Sequence, residues 1–70
     1  MKAEEFQNII DNLSSQISSQ LILKKNMSFE DVIDFYYHSK TFTDLKNPDS
    51  GLYTKTVDEL YELVVKELGK

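Results

Sequence analysis

The chain has 70 residues, no cysteine and one histidine, and its 8 basic and 12 acidic residues give a net charge of −4. Disulfides are therefore excluded, and a lone histidine argues against a zinc site, so we expect no metal and no cofactor. A core of this size supplies only about 3–5 kcal/mol of net stability, and association with another chain can add more. Because all the basic residues are lysines and the chain is acidic, nucleic acid is an unfavoured partner.

No stretch of the sequence has the length and apolar character of a signal peptide or a membrane span. The chain starts with an acidic segment that contains Glu4 and Glu5, and it lacks cysteine. These features predict a cytoplasmic protein that does not bind membranes and that forms a single small helical domain over residues 1–70.

The first predicted helix covers residues 3–25. Lysines at its end suit the negative pole of the helix dipole, and Asn26 is a candidate for the left-handed residue that terminates it. Apolar residues recur along it at the three- and four-residue spacing of one helical face, namely Phe6, Ile9, Ile10, Leu13, Ile17 and Leu21.

The opposite face of this helix is polar but almost uncharged. Between Gln7 and Leu23 the only charged residue is Asp11, and serine, asparagine and glutamine fill the other polar positions. Serine is small enough to let a second helix approach closely, so this face is either a contact surface or an ordinary neutral surface. Its candidate contact residues are Asn12, Ser15, Ser19, Ile22 and Leu23.

Two further helices are predicted over residues 28–40 and 56–68, and their sequences are near copies of each other. Ser28 opens the first as an N-cap, and Thr56 opens the second with a capping box. The apolar arc of each covers more than half of the circumference, whereas a surface helix needs an arc only a little over about 100° wide. Each helix is therefore expected to pack on two sides. Their surplus apolar edges add Phe35, Tyr37 and Val65 to the candidate contact residues.

The connector over residues 41–55 is expected to hold a short helical turn, capped by Thr41, and an ordered loop. Pro48 and Gly51 suit the bend of that loop, because proline fixes φ and glycine tolerates a positive φ. The whole pattern predicts an all-α fold with three main helices. Its expected core consists of Phe6, Ile10, Leu13, Ile17, Phe29, Val32, Ile33, Tyr36, Phe42, Leu45, Leu52, Leu60, Tyr61, Val64 and Leu68.

Catalytic chemistry is not expected, and we predict that the protein is not an enzyme. A catalytic His38 would need a nucleophile that faces it, but the adjacent Ser39 points elsewhere on a helix. Asp34, one turn earlier, is the expected hydrogen-bond partner of His38, as for an ordinary surface histidine. The acidic residues follow the spacing of solvated helix faces, and the patterns of a calcium loop and of a phosphate loop are absent.

From residue 27 onward the sequence resembles a family of small helical bacterial proteins. The shared pattern is F-Y-x-S-x-T-F-x-x-L-x-x-P-x-[ST]-G-L-Y-x-x-[ST], followed by an amphipathic helix that ends in E-L. Some members are encoded beside toxin–antitoxin-like genes, so the resemblance implies a small helical protein in a multi-protein system and carries no activity with it. The matching residues are Tyr36 or Tyr37, Ser39, Thr41, Phe42, Leu45, Pro48, Ser50, Gly51, Leu52, Tyr53, Thr56, Glu67 and Leu68.

The sequence therefore favours a non-catalytic protein–protein interaction module that either self-associates as a homodimer or docks on another protein. An antitoxin-like version would cover a basic active site of its partner with the acidic helix faces. The alternative is a dimeric regulatory protein that contacts nucleic acid, for which Lys24 and Lys25 offer the one local basic patch. An enzyme is the third and least favoured interpretation.

Overall fold

The computed structural model describes residues 2–69 and shows an all-α fold, as the sequence predicts. Positions 1 and 70, the ends of the predicted domain, lie outside the described residues. None of the helices within residues 2–69 combines the length and the apolar character that crossing a bilayer requires. In chain order the elements are α1 (Ala3–Lys25), α2 (Phe29–Tyr36), α3 (Lys40–Leu45), two 3₁₀ turns (Pro48–Ser50 and Leu52–Thr54) and α4 (Val57–Leu68).

α1 is the longest helix and packs against both α2 and α4. It ends where the sequence predicts, because Asn26 adopts a left-handed conformation with φ of 54°. This residue reverses the chain, and Ser28 then caps α2 by accepting a hydrogen bond from the Asp31 amide at 3.1 Å. As a result, α2 runs back along α1.

The second helix is shorter than predicted, because Ser39 starts a new helix instead of continuing the old one. The Ser39 backbone is extended (φ −76°, ψ 156°), and its Oγ accepts a hydrogen bond from the Phe42 amide at 3.1 Å. The same hydroxyl donates to the carbonyl of Tyr36, the last residue of α2, at 2.6 Å. The predicted helix over residues 28–40 is therefore wrong at its end, and Ser39 rather than Thr41 caps the helical turn that follows.

A side chain of α4 holds the start of α3. The two carboxylate oxygens of Glu67 accept hydrogen bonds from the backbone amides of Lys40, at 2.8 Å, and of Thr41, at 2.9 Å. The Thr41 hydroxyl donates a further hydrogen bond to Oε2 of the same carboxylate. The first amides of a helix have no partner within the helix, and the helix dipole favours an anion beside them. Glu67 thus joins α4 to α3, although it lies 27 residues from Lys40 and 26 residues from Thr41 in the sequence.

The loop after α3 consists of the two 3₁₀ turns, and its bend follows the predicted turn chemistry. Pro48 begins the first turn. The Asn47 side chain caps this turn by accepting a hydrogen bond from the Asp49 amide at 3.0 Å. Gly51 has a φ of 74°, in the left-handed region that favours glycine. Tyr53 then returns to the core, where its ring meets the edge of Phe6 with the ring centroids 5.2 Å apart.

The predicted capping box opens α4. Thr56 Oγ1 accepts from the Glu59 amide, and Glu59 Oε1 accepts from the Thr56 amide, both at 3.2 Å. The bond from the Thr56 amide lowers the pKa of the Glu59 carboxyl, and so does a second bond that the Thr56 hydroxyl donates to the same Oε1 at 3.2 Å. The two helices that look alike in sequence therefore start alike, although α2 ends after 8 residues and α4 after 12.

The core lies where α1, α2 and α4 meet. Its buried apolar residues are Ile10, Ile17, Leu21, Val32, Tyr36, Leu45, Leu60, Tyr61 and Val64. Two predicted core residues, Phe29 and Ile33, are exposed instead. The reason is the width of the α2 arc: the helix turns Val32 and Tyr36 inward, and the neighbouring apolar edge is left facing outward.

The most buried polar contact joins α1 to α2. Ser14 and Tyr36 are both buried, and their hydroxyl oxygens lie 2.9 Å apart in a hydrogen bond. Burial raises the pKa of Tyr36 to about 12 from its ordinary value of 10.0, although the bond to Ser14 acts in the opposite direction. Ser14 is therefore a core residue and does not belong to the exposed neutral face of α1.

This raised pKa predicts how stability changes in alkali. The folded chain holds the Tyr36 proton more tightly than the unfolded chain, so the associated stability is complete below pH 10 and is lost as the pH rises towards about 12. We expect urea unfolding to show a steeper loss of stability over this interval for the wild type than for Tyr36→Phe. Equal slopes for the two proteins would contradict the prediction.

Candidate protein-contact groove

An open groove of about 430 Å³ runs between α1 and α2 on the side away from the core. We call it the α1/α2 groove and define it by the residues that line it. One wall comes from α1 and the other from α2. The lining residues are Asp11, Ser15, Ser18, Ser19, Ile22, Phe29, Ile33 and Tyr37.

The α2 wall is apolar and faces solvent. Phe29, Ile33 and Tyr37 follow one another at four-residue spacing, which places them on one edge of the helix. Phe29 is 66 % exposed, Ile33 37 % and Tyr37 38 %. The Tyr37 ring contacts two aromatic neighbours, with centroid distances of 5.0 Å to Tyr36 and 4.8 Å to Phe42. Within residues 2–69 this edge is left partly exposed, and Phe29 is its most exposed member.

The α1 wall is built from hydroxyl groups and one aliphatic side chain. Ser15, Ser18 and Ser19 have short side chains, so this wall is shallow. Ile22 is the lining residue nearest the C-terminal end of α1. Among the described residues that line the groove, Asp11 alone is charged. Its Oδ1 accepts a hydrogen bond from the Gln7 side chain at 2.9 Å. The α1 side of the groove is therefore a shallow and nearly uncharged surface, and it lies beside the apolar edge of α2.

The structure brings together half of the candidate contact residues that the sequence predicts. Ser15, Ser19, Ile22 and Tyr37 all line the groove. Phe29 and Ile33 also line the groove, although their place on the wide apolar arc of α2 predicts them for the core.

The other four candidates do not line the groove. Asn12 and Leu23 are exposed on α1, and Leu23 has 79 % of its surface in solvent, but both lie beside the lining residues. Phe35 and Val65 are half-buried and pack against the core. Their apolar character therefore serves the interior of the domain.

Outside the groove, the arrangement around His38 is local. Its Nδ1 lies 2.9 Å from the backbone carbonyl oxygen of Asp34, so the predicted partner residue is right but the bonded group is the carbonyl and not the carboxylate. The neighbouring Ser39 hydroxyl donates to the Tyr36 carbonyl and caps α3. Within residues 2–69, no three histidine or acidic side chains converge as metal ligands.

The basic patch at the end of α1 is divided between two faces. Lys24 places its Nζ 5.1 Å from the centroid of the Tyr61 ring, over the junction with α4. Lys25 is exposed in the last turn of α1. The two lysines therefore do not form one surface, since adjacent residues of a helix point about 100° apart.

No family model, curated protein or solved structure matches this chain. The motif resemblance of residues 27–68 stays a prediction. Two residues of that motif, Thr41 and Glu67, are hydrogen-bonded to each other between α3 and α4. The function must therefore be argued from the geometry of the groove.

Proposed function

We propose that this protein is a non-catalytic protein–protein interaction module and that the α1/α2 groove is its contact surface. The observation that carries the proposal is the row of exposed apolar side chains, Phe29, Ile33 and Tyr37, along one wall of a groove. Contiguous apolar surface on a small protein is typical of an interaction site. Aromatic residues such as Phe29 and Tyr37 are also enriched among the residues that dominate interface energies.

The shape of the groove supports a helix as the bound element. Its walls come from two helices that pack against each other, and recognition of an amphipathic helix by such a groove uses anchors at three- and four-residue spacing. The serines of α1 let the axis of a bound helix come close, while the α2 edge supplies apolar area. Full burial of an exposed large apolar side chain contributes about 1.5–3 kcal/mol. Phe29, which is 66 % exposed, therefore has more to gain from a partner than Ile33 or Tyr37.

The proposal predicts that added charge in the groove prevents association. In Ser15→Glu/Ser19→Glu, two carboxylates would have to be buried at the contact without partners, which disfavours binding strongly. We expect the association constant to fall by about a hundredfold or more, since each factor of ten corresponds to about 1.4 kcal/mol. Light scattering after size exclusion, over a range of concentrations, measures the change.

Asn12→Glu/Gln16→Glu is the matched control for this experiment. It adds the same charge to the same helix at two exposed positions outside the groove lining. We expect association of the control to stay close to that of the wild type. An equal loss in both variants would show a general effect of charge, and an unchanged Ser15→Glu/Ser19→Glu would contradict the groove as the contact surface.

A further inference from the structure

We infer that the occupant of the α1/α2 groove is α1 of a second copy of this chain, packed antiparallel, with Asp11 of each copy opposite Lys25 of the other. This inference rests on the proposed function, because it names the partner of the same groove. Two observations support it. The first is the spacing of the exposed residues along α1, and the second is the position of Asp11 and Lys25 among them.

The outward side of α1 has a heptad seam. Asp11, Ser15, Ser18 and Ile22 all line the groove, and they are separated by four, three and four residues. The next step of three reaches Lys25, which is exposed and is the last residue of the helix. Steps of three and four residues keep these side chains on one face of the helix, so they can meet a partner helix together.

An antiparallel pair of these seams is self-complementary when Ser18 lies at the two-fold axis. Asp11 and Lys25 are then each seven residues from the centre, or about 10 Å at 1.5 Å per residue. Two-fold symmetry turns one helix over, so Asp11 of one copy lies at the level of Lys25 of the other. Ile22 of one copy comes next to Ser15 of the other, where a large side chain meets a small one. At the crossing point, Ser18 meets Ser18 and permits close approach of the axes.

The charge distribution favours a second copy over a basic partner. The chain carries 12 acidic residues, yet Asp11 is the single acid among the described residues of the groove lining. A groove that selects a basic helix would present several carboxylates, because complementary potentials guide such recognition. Here the seam as far as Lys25 has one charge of each sign, so an antiparallel copy places opposite charges together at both ends.

Charge exchange tests the partner and the register together. In Asp11→Lys and in Lys25→Asp, like charges face each other at both ends of the pair, and we expect the association constant to fall at least about tenfold in each. In Asp11→Lys/Lys25→Asp the opposite charges are restored in reversed order. Sedimentation equilibrium should show association of the double variant within about threefold of the wild type, because contacting residues show such coupling in a double-mutant cycle.

Lys24→Asp is the control, because it changes the same charge one residue away, on the side of α1 that faces Tyr61. We expect it to leave association nearly unchanged. The substituted seam residues are exposed, so the fold should be kept, and helical circular dichroism verifies it for each variant.

The outcomes separate this inference from the proposed function when Phe29→Asp is measured beside the charge variants. A monomeric wild type overturns the second copy as the occupant. If the wild type associates and Phe29→Asp weakens it, but the exchange variants show no rescue, the antiparallel register is wrong and the groove is still the contact. If Phe29→Asp leaves association unchanged, the groove is not the contact surface, and both the inference and the proposed function fail.

Discussion

Replacing Glu67 with alanine is expected to lower the free energy of unfolding by about 2–4 kcal/mol. The substitution removes the acceptor of two backbone amides and one hydroxyl at the start of α3. A hydrogen bond to a charged group contributes about 1.5–3 kcal/mol, and loss of a helix cap costs about 0.5–2 kcal/mol. Water can reach part of this junction, because Glu67 is only half-buried, so the sum of the separate bonds would overstate the loss.

Such a loss is large for a chain of this length. A core of this size supplies only about 3–5 kcal/mol of net stability, so the expected loss is most of the total. Glu67→Ala should therefore shift the urea midpoint far towards zero, with α3 detached from α4. The free energy measured by urea unfolding in circular dichroism is the test.

Two further variants control this prediction. Glu67→Gln keeps one carbonyl acceptor but loses the second oxygen and the charge, so an intermediate loss is expected. Glu62→Ala removes an exposed carboxylate from the same helix and should change stability by no more than about 0.5 kcal/mol. If Glu67→Ala is as mild as Glu62→Ala, the contact between Glu67 and α3 does not stabilise the fold.

Tyr36→Ala should have the largest effect on stability of the changes considered, about 3–5 kcal/mol. Tyr36 is completely buried, and its ring packs against Phe42 with the centroids 5.2 Å apart. Truncation of a buried aromatic residue to alanine removes that packing and leaves a cavity. It also leaves the hydroxyl of Ser14 buried without its partner. We expect the variant to be largely unfolded at room temperature, which circular dichroism would show directly.

A milder pair of substitutions isolates the hydrogen bond from the packing. Tyr36→Phe keeps the ring and should cost about 1–3 kcal/mol, because the buried Ser14 hydroxyl loses its partner. In Ser14→Ala/Tyr36→Phe both polar groups are gone, and the double variant should be less destabilised than the sum of the two single variants. Strict additivity in urea unfolding would mean that the two hydroxyls do not stabilise each other in the folded protein.

Local sequence signals predict most of the helix boundaries and miss the break between α2 and α3. Ser28 and Thr56 act as N-caps, as the sequence indicates, because a cap depends on residues three positions away. The break after Tyr36 is not predicted, because Ser39 is tolerated inside a helix as well as at an N-cap, and no proline or glycine follows before Pro48. Part of what stabilises the new helix at Lys40 comes from Glu67, which lies far away in the sequence. A contact of that range has no signature in helical periodicity.

Half of the residues that line the groove could be predicted from the sequence. The scarcity of charge on α1 is a property of composition, so Ser15 and Ser19 could be chosen as contact residues without a structure. On the α2 wall, Tyr37 at the rim of the arc could be chosen, but Phe29 and Ile33 could not, because the apolar positions of so wide an arc qualify equally for the core. Only the packing of α2 on α1 decides that Val32 goes inside and Ile33 stays outside.

The central claim is that copies of this chain meet at the α1/α2 groove. The most direct test is isotope-filtered nuclear Overhauser spectroscopy on a mixture of ¹³C-labelled and unlabelled wild-type protein. We predict intermolecular contacts from the Phe29 ring and the Ile33 methyl groups to α1 of the other copy, around Ser18. The absence of intermolecular contacts to Phe29 and Ile33 would contradict the claim, whether the chain is associated or monomeric in the sample.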